Sequence, residues 1–245
     1  MAEPSGSRRL DEHLIRLGRL ASSLSHEIRN PLATIFLLVD LLEEDLRCPG
    51  ADSQAQTAES LADMKTALSR INELVENYLS LARLADLHRE PVHLGTIVET
   101  CAREFRQRFA ERGITLHTEG LDGLGQVALH LYSFHRLLVN LIHNAMDAMP
   151  QGGTLTLRGW QADRQAHLDV QDSGCGIAED QLPLLFVPFH TTKSDGTGLG
   201  LYVVQEILAA HGGAITLSSI RGRGTTCTVT LPLLAAAVTA CNSCG

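Results

Sequence analysis

Aromatic side chains are scarce in this 245-residue chain. Phe, Tyr and Trp together make up 4% of it, so aliphatic residues must fill any core, and the 44% hydrophobic content is enough for that. Long basic runs are missing too, and the formal net charge is -8. Nucleic-acid binding relies on clustered Lys and Arg, so this balance argues against nucleic acid as the main partner. No apolar stretch approaches bilayer length: the run Ile35 to Val39 is cut by Asp40. The small, polar N-terminus carries no signal-peptide pattern, so a soluble, cytoplasmic chain is expected; a missing upstream sensor or membrane part would leave the same picture. The six cysteines (Cys48, Cys101, Cys175, Cys227, Cys241 and Cys244) match no disulfide framework, and reduced thiols are expected. Cys241 and Cys244 form one CxxC pair without the second pair that a zinc site needs, and a disordered tail is expected there.

What is present begins with heptad spacing. Leu10, Leu14, Leu17, Ala21, Leu24 and Ile28 recur in steps of four and three, which predicts a long amphipathic helix to about Leu46. The stretch Arg47 to Ser53 reads as a turn. A second helix to about Leu87 carries the seam Leu61, Met64, Leu68, Ile71, Val75, Tyr78, Ala82 and Ala85. A single helical hairpin cannot cover both stripes, whereas two copies packed as a four-helix bundle can, so a homodimer is expected. His26 lies midway between Leu24 and Ile28 and is therefore placed on the solvent side. Glu27 follows it, Asn30 lies one turn on, and Pro31 removes the hydrogen bond to the carbonyl of Glu27. An exposed imidazole, a neighbouring carboxylate and a loosened turn suit a nucleophile that meets a second domain.

After Pro91 the pattern becomes that of an α/β sandwich with helices on one face of a mixed sheet. Strands are predicted at 92–94, 114–118, 154–160, 166–171, 214–219 and 225–231, with helices at 95–111, 132–149 and 199–210. The expected division is an N-terminal segment (1–9), a helical dimerisation domain (10–88), an α/β domain (89–233) and a tail (234–245).

Four motifs in the second domain carry chemistry. Asn140 and Asn144 sit four apart on one helix face, and a carboxamide oxygen is a hard, neutral ligand suited to Mg²⁺. Asp172-Ser173-Gly174-Cys175-Gly176 ends a strand; its carboxylate can accept a hydrogen bond from an exocyclic amine, and its glycines let a flat base approach. Phe186-Val187-Pro188-Phe189-His190-Thr191-Thr192-Lys193 pairs two aromatic anchors with two hydroxyls and an ammonium that can meet phosphate oxygens. Gly196-Thr197-Gly198-Leu199-Gly200 opens a helix, where glycine backbone N–H groups and the helix N-terminus favour anions. The βαβ setting of a dinucleotide fold and the Walker lysine-serine pair are both missing, which excludes those two nucleotide folds.

In order and spacing these motifs, with Ser25-His26-Glu27-Ile28-Arg29-Asn30-Pro31-Leu32, resemble the histidine protein kinases of two-component signalling over roughly residues 8 to 232. The wording at Thr191-Thr192-Lys193 is nearest to the nitrogen-regulation branch. The resemblance implies a helical hairpin followed by an ATPase domain of the gyrase, chaperone and kinase superfamily. It implies His26 as phosphoacceptor and Glu27 holding its ring proton. It further implies Asn144 as Mg²⁺ ligand with Asn140 beside it, Asp172 on the adenine amine with Gly174 and Gly176 lining the base, and a lid from about Ile177 to Leu199. ATP and Mg²⁺ are the implied cofactors, and a response regulator receiver domain the implied partner. Asn30 is the expected residue for dephosphorylating that regulator. His130 stands where an Asp is frequent in this family. Two rival readings are an ATPase of the same superfamily that spends ATP on water, against which the His26 helix argues, and a non-catalytic ATP-binding scaffold, against which the intact motifs argue.

Overall fold

The computed structural model describes residues 5–47, 53–85, 87–193 and 196–234. They fall into two compact units, one drawn from Met1–Asp86 and Leu184–Val203, the other from Leu87–Pro183 and Val204–Gly245. The CxxC pair of the tail, Cys48 and most of the turn after Arg47 lie outside the described residues. The described thiols of Cys101, Cys175 and Cys227 are free. Among the described residues, no helix is long and apolar enough to cross a membrane.

In the first unit α1 (Ser5–Arg47) and α2 (Ser53–Ala82) pack against each other as a hairpin, and α2 ends in a 3-10 turn at Arg83–Ala85. The helix runs unbroken through Pro31. The apolar phase of α2 differs from the expected seam. The apolar positions buried within the chain are Ala67, Leu74 and Leu81, each one residue before Leu68, Val75 and Ala82, while Leu68 is 55% exposed. Adjacent positions on a helix are about 100° apart. The two sets are therefore neighbouring stripes, one covered by α1 and one turned outward. On α1 the outward side chains include Phe36, 69% exposed, and Leu37.

The second unit is built on a five-stranded sheet in the order β2 (Ile114–Glu119), β4 (Gly153–Ala162), β5 (Gln165–Asp172), β7 (Gly224–Pro232), β6 (Ala214–Ile220). Only β2 and β4 run parallel. Alternation decides which face is covered. Leu155, Leu157, Ala166, Leu168, Val170, Val229 and Leu231 are buried, and the register sets Leu157 opposite Val170 and Leu168 opposite Val229. The helices α3 (Leu94–Glu104), α4 (Arg106–Glu111), α5 (Leu131–Ala148) and α6 (Gly200–Ala210) supply the other half of this core through Val98, Phe105, Phe109, Leu138, Ile142 and Ile207. The outer face is polar: Trp160 stacks on His167 at 5.0 Å, and Asp169 accepts from Thr228.

Two expectations are corrected here. The predicted helix 95–111 is two helices, broken where Phe105 turns with φ -93° and ψ -2° to keep its ring in the core. A strand absent from the sequence reading, β3 (Gln126–Leu129), pairs antiparallel with β1 (Glu90–His93) in a separate two-stranded sheet.

Candidate active site

His26 stands exposed on α1, as its helical phase requires, and Asn30 is exposed one turn further on. Glu27 is half-buried because α2 covers it: its carboxylate lies 3.6 Å from the Arg70 guanidinium. The hydroxyl of Ser25 folds back onto the carbonyl of Ala21 and that of Thr34 onto Asn30, so polar side chains near His26 satisfy the helix and leave the imidazole facing water.

In the second unit α5 is fixed at its start by two histidines. His130 is the N-cap, its Nδ1 accepting from the Ser133 backbone N–H and lying 2.8 Å from the Ser133 hydroxyl. His211 Nδ1–H donates to the carbonyl of Ile207 at 2.7 Å, which leaves Nε2 to accept from the His130 backbone N–H at 3.0 Å. Burial lowers the His211 pKa, a direction the nearby Arg89 and His130 reinforce and the Ile207 bond opposes. The Arg89 guanidinium donates to the carbonyl of Ala210 beside it. With α5 so anchored, Asn140 is buried and Asn144 half-buried on one face. Among the described residues no cluster of three His, Cys, Asp or Glu side chains could hold a metal alone. The neutral carboxamides of Asn140 and Asn144 are a donor set that fits a hard cation taking its remaining ligands from phosphate oxygens and water, as Mg²⁺ does.

Asp172 ends β5 on the covered face and is buried. Its Oδ1 accepts from Gly174 N–H at 2.8 Å and Thr225 N–H at 3.2 Å. Burial raises its pKa, and these backbone donors counter the rise. The glycine turn is locked to its surroundings. A Cβ on Gly174 would lie 2.4 Å from the carbonyl oxygen of Ala148, and Cys175 N–H donates to that same oxygen. Gly176, with φ +64°, abuts the carbonyl of Ile220 in the same way. Close backbone packing thus requires these glycines, where the sequence reading assigned them to the approach of a base. The packing joins the end of α5, one turn beyond Asn144, to the Asp172 turn.

The remaining residues lie in the first unit. Phe189 N–H donates to Gly198 O at 2.9 Å, and both residues have positive φ, 64° and 65°. A Cβ on Gly198 would sit 2.5 Å from the Phe189 carbonyl carbon. The exposed Thr191, Thr192 and Lys193, with Gly196, fall inside the loop that this pairing closes. Thr191 Oγ1 accepts from Lys193 N–H, and Gly196 N–H donates to the Lys193 carbonyl. Leu199 is buried, and Gly200 begins α6. Thr197 was not singled out from sequence, yet it is buried; its hydroxyl donates to Glu73 Oε1 at 3.2 Å, and the Leu199 N–H reaches its Oγ1. His143, inside the asparagine motif, was also passed over; an imidazole one residue before Asn144 was the available signal.

Residues 131–235 match the family described as histidine kinase-, DNA gyrase B- and HSP90-like ATPase, and residues 16–86 match the His kinase A phosphoacceptor domain. The sensor histidine kinase ZraS of Salmonella typhi is 37% identical over 225 residues, covering 91% of this chain and 47% of that protein. The chain thus spans about half the length of the curated relatives it matches. Among solved structures, histidine kinase ThkA in complex with the response regulator protein TrrA superposes with a TM-score of 0.74 at 23% identity, over 94% of this chain and 66% of that one, a likeness of fold. Full-length ShkA in complex with AMPPNP gives 0.62 at 26% identity, over 89% and 46%.

Proposed function

Since the chain belongs to the sensor histidine kinases of two-component systems, we propose that it phosphorylates its own His26 from ATP and passes the phosphoryl group to an aspartate of a response regulator receiver domain. The observation that carries this reading is one joint: the carbonyl of Ala148 ties the asparagine face of α5 to the buried Asp172 turn. Asp172 accepts from the adenine amine, while its Oδ1 is already held by two backbone donors. Asn144, with Asn140 beside it, holds Mg²⁺, which supplies charge neutralisation on the phosphate oxygens. Thr191, Thr192, Lys193 and the glycine segment Gly196 to Gly200 line the phosphates as a lid. The glycine segment leads into the start of α6, and a helix start favours anions.

A ring nitrogen of His26 attacks the terminal phosphorus; the new N–P bond forms as the bond to the departing diphosphate oxygen breaks. Glu27 takes or orients the proton on the opposite ring nitrogen, and its pairing with Arg70 holds that carboxylate in place. Two copies pair through the outward apolar stripes of α1 and α2. Asn30, exposed one turn from His26, holds a water in line with the regulator's acyl phosphate in a second, phosphatase activity.

Incubation with γ-labelled ATP and Mg²⁺ tests the reading. Wild type should acquire acid-labile, base-stable label, and His26→Gln should acquire none while binding nucleotide as before. Release of free phosphate with no bound label would mean an ATPase; neither product would mean a scaffold.

A further inference from the structure

The second unit has a cleft between α4 and α5 that the chemistry above leaves unused. Its volume is about 320 Å³, and Arg108, Glu111, Arg112, His143, Met146 and Asp147 line it. The two arginines stand one turn apart on one wall, and His143 and Asp147 one turn apart on the other. Arg108 Nη1 lies 3.4 Å from His143 Nε2. The Arg108 guanidinium also sits 5.5 Å over the ring of Phe105, and that ring meets the imidazole edge-on at 5.3 Å. Phe105 is core, so it holds both polar groups at fixed positions. Arg112 and Asp147 pair at 3.5 Å, each about half exposed, at 51% and 44%. Burial lowers the His143 pKa, helped by Arg108, Arg136 and Arg112 and opposed by Asp147. A guanidinium can only donate, so His143 accepts from Arg108 at Nε2, and its own N–H donor is Nδ1.

Along α5 the residues Arg136, Asn140, His143 and Asp147 follow in steps of four, three and four, a single stripe, with Asn144 at its edge. The cleft therefore runs beside the two carboxamides. Two guanidiniums thus stand one turn apart on one wall of the cleft, Arg108 held against the imidazole and Arg112 against a partly exposed carboxylate that a phosphate can displace. Guanidinium groups match phosphate oxygens two at a time. We propose that this cleft is a phosphate subsite: Arg108 and Arg112 bind the terminal phosphates of the nucleotide held at Asn144, and His143 donates its N–H to them. The inference rests on the nucleotide-site reading above. Asp147 competes for Arg112 and yields it when the more highly charged phosphate enters.

The test is equilibrium binding of AMP, ADP and ATP, each with Mg²⁺, to the full chain and to Arg108→Gln, Arg112→Gln and Arg112→Lys. Losing one charge-assisted contact should weaken ATP about tenfold. AMP should be unaffected, so the preference for ATP over AMP collapses in both Gln variants, and Arg112→Lys should keep most of it. ATP affinity in Arg108→Gln should also fall less steeply with salt than in wild type. The thermal transition seen by Trp160, the chain's single tryptophan, controls for folding of the second unit. An unchanged ATP to AMP ratio, or equal losses for all three nucleotides, overturns the subsite and leaves the nucleotide site standing. A wild-type chain that binds none of the three overturns the nucleotide-site reading and the subsite with it.

Discussion

His26 and Asn30 share one exposed face of α1 but are assigned different tasks, and single substitutions can separate them. Asn30→Ala should keep most autophosphorylation and slow decay of the phosphorylated regulator to its rate without the kinase; Asn30→Thr should restore part of it. Decay of purified phospho-regulator in the presence of ADP measures this, and equal rates for wild type and Asn30→Ala would confine Asn30 to a structural role before Pro31. In the second unit, Asp172→Ala removes the acceptor for the adenine amine, and Asn144→Ala a metal ligand. A hydrogen bond lost from a buried partner costs about 1–3 kcal/mol, roughly five- to a hundred-fold in affinity. Asp172→Ala should thus bind ATP that much more weakly and select adenine less, and Asn144→Ala should lose the Mg²⁺ dependence of ATP use. Titration calorimetry with ATP and GTP, with and without Mg²⁺, reads both. The thiols of Cys101 and Cys227 are pushed up to about 12, chiefly by burial, which keeps them protonated and unreactive.

At the scale of elements, the start of α5 and the end of α6 are joined by His130 and His211, and that joint titrates. His211 accepts a backbone N–H at Nε2, so protonating it breaks the bond. Its folded pKa lies below the ordinary 6.5, so the unfolded chain binds more protons near that pH. Stability should therefore be full above about pH 6.5 and fall as pH drops below it. His143, shifted the same way, adds to the slope. Urea unfolding followed at Trp160 at a series of pH values should show this fall, and it should be shallower in His211→Gln; identical slopes would exclude the joint as its source. The alternating strands β4, β5, β6 and β7 and the helix α5 were legible because each has one polar and one apolar face, and period alone reveals that. The strand β3 was not, because four residues after Gly125 give too short a period, and its pairing with β1 is a tertiary fact. The break at Phe105 was hidden as well, since a buried aromatic fits a continuous helix equally well. Asp172 and the asparagines could be read from type and spacing, whereas Thr197 against Glu73, and Arg108 against His143, depend on residues far apart in the chain.

At the scale of the molecule, the outward stripe of α2 predicts assembly. Leu68 and Val75 stay exposed in a single chain beside the buried Ala67 and Leu74, and α1 adds Phe36 and Leu37. Leu68→Glu combined with Ile71→Glu should leave a monomer, because a charge buried in an interface costs several kcal/mol. Light scattering at micromolar concentration decides it; a wild-type monomer under those conditions would refute the dimer. The pairing of Phe189 with Gly198 has a consequence of another kind, for how the chain tolerates change in length. The two residues close a loop at its base, so residues inserted in its exposed part, ahead of the buried Thr197, add mainly closure entropy, and doubling the loop's length costs just ~0.6 kcal/mol. A single methyl on Gly198, by contrast, meets the Phe189 carbonyl carbon at 2.5 Å and opens the base. This stretch is therefore a place where the polypeptide can grow at small cost to the fold, provided one position never acquires a side chain.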